Sequence, residues 1–379
     1  MKSLIIHIGT GKAGSSSIQA FLNINRLVLE KKCGVWLADE KFQFGDDHFG
    51  KFPISYFHEL LASYELNEIY DLFDEKWNKL YNQMVRNSKS IAIVSAESLS
   101  DSVEFPNFFK SASKYFKVKV IGYFRPQVDW IPSAWKQWHL KAGMSLDDFI
   151  DRCVANKHPD YLSNFIAWEN RFNKENLHIK PLVRNYLSKS CLIQDFAQAA
   201  GIANDDLNFD VPVVNISYQS SILRIIAKSP CVFNGMHDCS LDKFFENQSD
   251  ITTSKEKEYL LTIKQHRMIY DSFYDMNREI HQRYFPEFDF DLIFKSDQLQ
   301  ERNEFSIVDD LTQVCAIQFK LLQILDSRFD AINPINERLN YIDERLNYID
   351  EQINKIRKGP LKRMAARFSN SIKKRIKVQ

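Results

Sequence analysis

The sequence has few cysteines and few glycines, and the cysteines are far apart. Six cysteines are spread over 379 residues, at positions 33, 153, 191, 231, 239 and 315, and they form no Cys-x-x-Cys pair and no zinc-type spacing with histidine. This pattern predicts free thiols in a reducing compartment and excludes a disulfide scaffold or a structural zinc site. No apolar run approaches the roughly eighteen residues of a membrane span. The chain enters a predicted strand directly, so we expect no secretion signal and a cytoplasmic protein.

Short continuous apolar runs separated by helical stretches predict a parallel β-sheet that is covered on both faces. The predicted strands are residues 3–8, 34–38, 90–96, 117–124 and 177–183, and the predicted helices are 15–32, 54–87, 127–143 and 190–200. The sequence therefore predicts an α/β fold in which helices flank a central parallel sheet. In such folds ligands bind at the carboxyl ends of the strands.

Near the end of the chain, apolar residues recur at alternating spacings of three and four. The residues of this seam are Ile332, Ile335, Leu339, Ile342, Leu346, Ile349, Ile353 and Ile356. The heptad RLNYIDE also occurs twice in tandem, at 338–344 and 345–351. A strict two-position heptad seam predicts a coiled coil, and therefore a homo-oligomer formed through residues 332–356. A long helix packed on its own domain is the open alternative.

The net charge of +1 is unevenly distributed, because residues 355–379 carry ten Lys and Arg and no acidic residue. Apolar residues recur among them at helical spacing, so we expect a basic amphipathic tail that contacts anionic membrane peripherally at its inner face. A disordered tail or a nucleic-acid contact is the alternative, although we expect no specific nucleic acid. The predicted divisions are a catalytic domain at 1–325, a coiled coil at 326–358 and the tail at 359–379.

The segment GTGKAGSSS, residues 9–17, joins the first predicted strand to the first predicted helix. Such a turn directs backbone N–H groups and the positive end of a helix at an anion. Three glycines match the dinucleotide fingerprint G-x-G-x-x-G, but no acidic residue stands convincingly at the end of the second strand for a ribose. The Gly-Lys-Ser/Thr of a Walker-type phosphate loop is also missing. Lys12 and the serines after it instead favour a phosphosulfate as the bound anion.

A second anion site is predicted where residues 117–124 end. Arg125 follows this strand directly, and Ser133 lies eight residues further along, in a predicted helix that begins after Pro126. Arginine offers a planar, permanently charged fork to a phosphate, and serine adds a hydroxyl. An ordinary surface ion pair is the simpler explanation of an isolated strand-end arginine.

Three segments in this order resemble the PAPS-dependent sulfotransferases, enzymes that use 3′-phosphoadenosine 5′-phosphosulfate. The segments are GTGKAGSSSIQ, VIGYFRPQVDWIPSAWKQ and HIKPLVRNYLSKSCLIQDFAQAAGI. The likeness covers about residues 1–225 and is strongest to bacterial members that modify cell-surface carbohydrates. It implies a P-loop-like three-layer fold and transfer of a sulfonyl group from PAPS, without a metal, to a hydroxyl of a carbohydrate or glycolipid acceptor.

The resemblance also implies roles for individual residues. The 5′-phosphosulfate would be held by Lys12, Ala13, Gly14, Ser15, Ser16 and Ser17, and the 3′-phosphate by Arg125 and Ser133. The sequence departs from the family at Gly11, where a bulkier residue is usual, and it lacks the later glycine-rich nucleotide loop. VPVVNISYQSS, at 211–221, stands in a similar place, so Asn215 and Ser217 are candidate cofactor contacts.

Sulfonyl transfer requires a base that removes the proton of the acceptor hydroxyl. Glu97 is the preferred candidate because it follows a buried predicted strand directly and should lie at the ligand edge of the sheet. His48 is a loop residue that could contact the acceptor, while Glu40 and His7 are further rivals. His7 lies within the first predicted strand, where a hydrogen-bonded core histidine is the expected environment. Lys12 would stabilise the charge on the leaving phosphate.

Two other classes of protein use features of this kind. A nucleotide-dependent kinase or an NAD-dependent oxidoreductase could use the same glycine-rich loop, and would bind ATP or NAD with Arg125 dispensable. A catalytically inactive glycan-binding scaffold would depend on its coiled coil, and would tolerate loss of Lys12 and Glu97.

Overall fold

The structure is a computed structural model, and its chain divides into two compact units, residues 1–306 and 307–379. It describes residues 2–38, 57–100, 102–211, 218–228, 233, 235, 238, 259–294, 307–358 and 367. None of the described helices has both the length and the apolar content that a membrane crossing requires.

The first unit is built on a five-stranded parallel sheet with the strand order β2-β3-β1-β4-β5. The strands are β1 (Lys2–Gly9), β2 (Val35–Leu37), β3 (Ile91–Ala96), β4 (Phe116–Phe124) and β5 (Leu177–Pro181). All five were predicted from apolar runs, with β5 ending earlier than expected. Because β1 lies between β3 and β4, the residues that follow these three strands meet at one edge of the sheet.

The described helices of the first unit lie between the strands and after β5. They are α1 (Ser15–Ile24), α2 (Arg26–Lys32), α3 (Phe57–Ser63), α4 (Leu66–Arg86), α5 (Gln127–Ala134), α6 (Leu146–Ala155), α7 (Tyr161–Phe172), α8 (Leu192–Ala200), α9 (Ser220–Lys228), α10 (Ile263–Tyr284) and α11 (Phe290–Phe294). Helix α8 ends at Gly201 in the left-handed conformation, with φ of 69°, a common helix stop, and this end agrees with the predicted helix 190–200.

Helices cover both faces of the sheet, and the alternation of side chains along β4 shows which helices lie on each face. Tyr123 points towards α8, where its hydroxyl donates to Asp195 at 2.7 Å. Phe124 points to the opposite face and lies 5.9 Å from Phe165 of α7, centroid to centroid. An aromatic cluster fills that second face, with Trp77 of α4 packed against residues of the 105–114 turn segment. The predicted α/β class with a central parallel sheet between helices is confirmed.

Three predicted helices are interrupted in the structure. The predicted helix 15–32 breaks at Asn25, whose side chain donates to the carbonyls of Phe21 and Asn208 at 2.9 and 2.8 Å and accepts from Asn208 N–H. The predicted helix 54–87 is two helices, and α4 begins with a capping box between Glu65 and Glu68; residues 54–56 lie outside the described part.

The predicted helix 127–143 begins directly after Pro126 but changes geometry along its length. Helix α5 contains Pro132, which cannot donate a helical hydrogen bond. It passes at Trp135 into a π-helical turn, Trp135–His139, in which Leu140 N–H donates to Trp135 O at 2.9 Å. The helix predicted over 127–143 is therefore present as α5 and a π-helical turn, and the altered winding sets the direction of the side chains that follow Pro132.

The second unit contains α12 (Ile307–Lys358), one helix of 52 residues. The predicted coiled-coil segment 326–358 lies within it, and the boundary predicted after residue 325 falls inside the helix rather than at its start. Apart from Arg367, the predicted basic tail 359–379 lies outside the described residues.

Candidate functional site

The turn between β1 and α1 has a backbone that specific residues make possible. Gly14 adopts the left-handed region with φ of 87°, and a Cβ there would lie 2.3 Å from Leu192 Cδ2. Only glycine can adopt this φ without strain and also leave the space that Leu192 occupies. Lys12 also has a positive φ, 64°, although it is not glycine, and such strained conformations concentrate at ligand sites.

Hydrogen bonds tie this turn to the neighbouring strands. Thr10 Oγ1 donates to Tyr123 O at 2.7 Å, and Ser100 Oγ donates to Gly9 O at 2.9 Å. Gly9 lies so close to α1 that a Cβ on it would be 2.1 Å from Ser15 Oγ. The loop therefore has a defined position above β1, held from the β3 side and from the β4 side.

The amino terminus of α1 presents donors that the described residues leave unused. Among the described residues, the N–H groups of Gly14, Ser15 and Ser16 donate to no backbone carbonyl. The Ser15 side chain is buried, and its Oγ has no hydrogen-bond partner in the described part of the chain. Buried polar groups are normally paired, so these donors, at the positive end of a ten-residue helix, fit an anion.

Glu97 and Lys12 form the charged part of the site. Glu97 follows β3 directly and opens the short 3₁₀ turn Glu97–Ser100. Burial raises the pKa of Glu97, while the Lys12 charge and a hydrogen bond from the Lys12 backbone oppose the rise. Burial and the nearby Arg125 charge lower the pKa of Lys12, and Glu97 acts in the opposite direction. The structure thus brings the predicted residue Lys12 within electrostatic reach of two others, Glu97 and Arg125.

Arg125 lies half-buried directly after β4, and its backbone carbonyl accepts a hydrogen bond from Tyr161 at 2.9 Å. Within the described residues, neither its guanidinium nor the Lys12 ammonium has a carboxylate within salt-bridge distance. Two like charges that repel each other in partly buried positions are unfavourable. An anion with several negative charges would remove this repulsion.

Two tryptophans that sequence reasoning missed border the same loop. Trp130 Nε1 donates to Gly11 O at 2.7 Å. A Cβ on Gly11 would lie 3.1 Å from Trp138 Cη2 and 3.2 Å from Glu97 Oε1, so the Trp138 ring edge and the Glu97 carboxylate flank the same backbone position. The sequence feature that could have pointed to these tryptophans is Gly11, because a bulkier residue is usual at this position and its absence leaves room beside the loop.

The remaining predicted site residues differ in their position and burial, and some of them lie outside the described part of the chain. Ser133 lies in the last turn of α5 and is partly buried, and none of its described contacts joins it to Arg125 or Lys12. Ala13 is buried, Ser16 is exposed and Ser17 is intermediate. The candidates His48, Asn215 and Ser217, together with the rival base Glu40, lie outside the described residues.

His7 is a core residue, as its place within the first strand predicted. Its side chain is buried, and its Nδ1 lies 2.8 Å from Ser95 Oγ. Burial lowers its pKa to about 3, so the imidazole is neutral near pH 7. His7 therefore packs inside the sheet and belongs to the hydrophobic core rather than to the charged edge.

Asp195 of α8 organises hydrogen bonds behind the site, and sequence reasoning missed it. It accepts from Tyr123 Oη at 2.7 Å, from Lys180 Nζ at 2.6 Å and from Ser188 N at 2.8 Å. Burial alone would raise the pKa of Asp195, but these bonds and one from His178 outweigh it and hold the pKa well below its usual range. The carboxylate joins α8 to β4 and β5, and so supports the strand end that bears Arg125.

No protein-family model matches this chain, and no curated protein matches it. Among solved structures, it is similar to a sulfotransferase from Alicyclobacillus acidocaldarius, with 14% identity and a TM-score of 0.33, over 59% of this chain and 89% of that one. It is also similar to mouse sulfotransferase SULT7A1 complexed with PAP, with 14% identity and a TM-score of 0.34, over 74% of this chain and 85% of that one.

Proposed function

We propose that this protein is a sulfotransferase that moves the sulfonyl group of PAPS to a hydroxyl of a carbohydrate acceptor. The observation that carries the proposal is the pair of half-buried cations, Lys12 and Arg125, which lie at one sheet edge with no carboxylate within salt-bridge distance among the described residues. A donor with phosphate groups at both its 3′ and 5′ positions needs positive charge at two points. A carboxylate with a raised pKa, Glu97, follows β3, on the other side of β1 from the strand that bears Arg125.

The residues around the loop fit the 5′ end of such a donor. The unused N–H groups at the start of α1 and the unpaired Ser15 hydroxyl are donors directed at one anion. Ala13, Gly14, Ser16 and Ser17 would complete this cradle with Lys12. Arg125 and Ser133 would hold the 3′-phosphate, and Asn215 and Ser217 would add contacts. PAPS supplies the activated sulfonyl group, and the proposed scheme requires no metal.

The chain's own residues would carry the charge and the proton through the transfer. Glu97 takes the proton of the acceptor hydroxyl as the acceptor oxygen forms its bond to sulfur. The bond between sulfur and the bridging phosphate oxygen breaks, and its electron pair stays on the phosphate. Lys12 stabilises that developing charge at short range in a partly water-excluded position. The raised pKa of Glu97 makes it a better base than an exposed carboxylate.

The position of Trp138 supports a carbohydrate acceptor. Its ring edge adjoins Gly11 beside Glu97, and the side chain is only partly buried. Sugar rings have apolar C–H faces that pack on aromatic rings, and aromatic side chains contribute large rigid surfaces at binding sites. A glycan or glycolipid hydroxyl could therefore be positioned next to the base. Synthesis of a bacterial surface polysaccharide is the process in which we place this activity.

Calorimetric binding of adenosine 3′,5′-bisphosphate tests the nucleotide site. We expect the wild-type chain to bind it and Arg125→Ala to lose at least tenfold in affinity, because a charged hydrogen-bonding partner contributes about 1.5–3 kcal/mol. Arg184→Ala is the matched control, since Arg184 is an exposed arginine beyond β5. Equal binding by both variants, or tighter binding of ATP or NAD, would contradict the proposal and favour a kinase or an oxidoreductase.

Transfer of labelled sulfate from PAPS to a panel of glycans tests the reaction itself. Sulfated glycan formed by the wild type and lost in Lys12→Ala supports the proposal. Nucleotide binding without transfer to any glycan, lipid-linked or free, would favour the inactive glycan-binding scaffold.

We also propose that residues 359–379 hold the protein against anionic membrane at the cytoplasmic side, where lipid-linked glycans would be within reach. The support is the block of ten basic residues with interleaved apolar residues in 355–379. Sedimentation with vesicles containing phosphatidylglycerol should retain the full chain and release the chain that lacks 359–379. Unchanged retention after the deletion would refute the membrane role.

A further inference from the structure

The heptad seam of α12 has a definite register. Its spacing of three residues followed by four assigns the a and d positions of a coiled coil, because a to d is three residues and d to the next a is four. The a positions are Ile332, Leu339, Leu346 and Ile353, and the d positions are Ile335, Ile342, Ile349 and Ile356. Every d residue is therefore a β-branched isoleucine, and the two central a residues are leucine.

The central seam is exposed in the single chain. Leu339, Ile342, Leu346 and Ile349 are 54%, 51%, 56% and 46% exposed. These four residues occupy successive a and d positions on one face of the helix, so together they form an exposed apolar strip along it. A helix of this kind is stabilised by packing its apolar face rather than by its own propensity. The strip needs a partner.

The repeat itself indicates that the partner is another copy of the same chain. A heptad seam packs knobs-into-holes against a seam of the same period, and this chain repeats RLNYIDE without change at 338–344 and 345–351. A copy of the chain supplies a strip of equal length, equal period and matching side-chain size. The seam is therefore self-complementary.

The charges beside the seam select the orientation of the copies. Arg338 and Arg345 occupy g positions, while Asp343 and Asp350 occupy e positions. In a parallel, in-register coiled coil each g residue lies beside the e residue five positions later on its neighbour, which pairs Arg338 with Asp343 and Arg345 with Asp350. An antiparallel arrangement would place g against g and e against e, bringing like charges together. Opposite charges therefore meet only in the parallel form.

The identity of the seam residues selects the number of copies. Parallel dimers favour β-branched residues at a and leucine at d, whereas leucine at a with isoleucine at d, or isoleucine at both, favours three or four strands. The central heptads have the leucine and isoleucine arrangement, and Ile332, Ile335, Ile353 and Ile356 give isoleucine at both positions of the flanking heptads. Neither the central nor the flanking heptads have the pattern of a parallel dimer, which is a β-branched residue at a and leucine at d.

We infer that residues 332–356 of three or four copies of this chain associate as a parallel, in-register coiled coil. This inference is independent of the proposed reaction, because it depends only on the pattern and exposure of α12. A wrong oligomeric state would not contradict the sulfotransferase proposal, and a lack of sulfotransferase activity would not contradict the coiled coil.

The mass of the full chain in solution tests the association. Light scattering should give three or four times the chain mass of 44.5 kDa. Leu346→Asp places a charge in the seam and should reduce the mass to that of one chain. The matched control is Tyr348→Asp, which introduces the same charge at an exposed c position outside the seam. A monomeric or dimeric wild type, or equal masses for the two variants, would overturn the inference.

Cross-linking tests the orientation without requiring the oligomer to be disrupted. Ile335→Cys in a Cys315→Ser background should form interchain disulfides upon oxidation, since identical d residues meet in a parallel, in-register coil. In an antiparallel coil Ile335 would lie opposite the region of residue 353, about 27 Å from its counterpart at 1.5 Å per residue. Absence of the disulfide, while the mass remains that of three or four chains, would overturn the parallel orientation.

Charge exchange supplies a second measure of orientation. Arg345→Asp should lower the melting temperature of the oligomer, because it places two aspartates side by side in the parallel form. The double variant Arg345→Asp/Asp350→Arg should recover most of the loss by restoring the pair with reversed signs. No recovery in the double variant would contradict the g-to-e pairing.

Discussion

Glu97 and Lys12 each favour the charged form of the other at the carboxyl edge of the sheet, while burial acts against both charges. Glu97 follows β3, and Lys12 lies in the turn after β1, so the pair exists only because these two strands are neighbours. Arg125, at the end of β4 on the other side of β1, completes a site with two cations and one carboxylate.

Glu97→Gln should lower the turnover of sulfate transfer by about 10²- to 10⁴-fold, the usual contribution of a general base. Binding of adenosine 3′,5′-bisphosphate should change little, because the amide keeps the size of the side chain and removes only its basicity. Initial rates and calorimetry on the same preparation measure the two effects. Glu175→Gln, at an exposed position, is the control, and equal rates for both variants would exclude Glu97 as the base.

The same substitution should raise the thermal stability of the protein near neutral pH. Folding raises the pKa of Glu97, so the ionised carboxylate is less favourable in the folded state than in the unfolded chain, and its cost grows as pH rises above the unfolded pKa. The difference in melting temperature between Glu97→Gln and the wild type should vanish in acid, below that unfolded value. Scanning calorimetry between pH 4 and 8 measures this difference in melting temperature. A stability gain that does not depend on pH would show that the raised pKa of Glu97 is not its cause.

Gly14→Ala should destabilise the protein by more than about 2 kcal/mol, since it combines left-handed backbone strain with overlap on Leu192. Gly201→Ala is the matched control, because Gly201 has a similar positive φ but nothing within 4 Å of the added Cβ. That control should cost only about 1 kcal/mol and should leave nucleotide binding intact. Denaturant unfolding compares them, and similar losses in both variants would mean that the Leu192 contact is unimportant.

Ser15→Ala should leave the unfolding free energy nearly unchanged, because the buried Ser15 hydroxyl has no partner among the described residues. Affinity for adenosine 3′,5′-bisphosphate should fall by roughly two- to tenfold, as expected for one hydrogen bond of about 0.5–1.5 kcal/mol. Unfolding curves and calorimetry separate the two quantities. A large loss of stability with unchanged affinity would show that Ser15 is structural.

Trp138→Ala should raise the KM for a glycan acceptor about tenfold and leave nucleotide affinity unchanged, since Trp138 adjoins Gly11 and Glu97 on the acceptor side of the proposed reaction. Trp138→Phe should keep most of the acceptor affinity by preserving an aromatic face. Acceptor-saturation kinetics measure both. An unchanged KM in the alanine variant would remove Trp138 from the acceptor site.

Local patterns in the sequence were enough to predict the strands, the class of fold and the strand-end positions of Glu97 and Arg125. A continuous apolar run identifies a buried strand whatever its neighbours are, and a charged residue that follows such a run must lie at an end of the sheet. The heptads of α12 have the same local character, which is why their register can be assigned from spacing alone.

The order of the strands, by contrast, was decided only by tertiary structure. No local pattern states that β1 lies between β3 and β4, yet this order brings Lys12, Glu97 and Arg125 together. Trp130 and Gly11 are 119 positions apart in the chain, and the break at Asn25 depends on Asn208 from a distant loop. The spacing of apolar residues indicates which face of a helix or strand is apolar. Which other element packs against that face depends on the packing of all elements together.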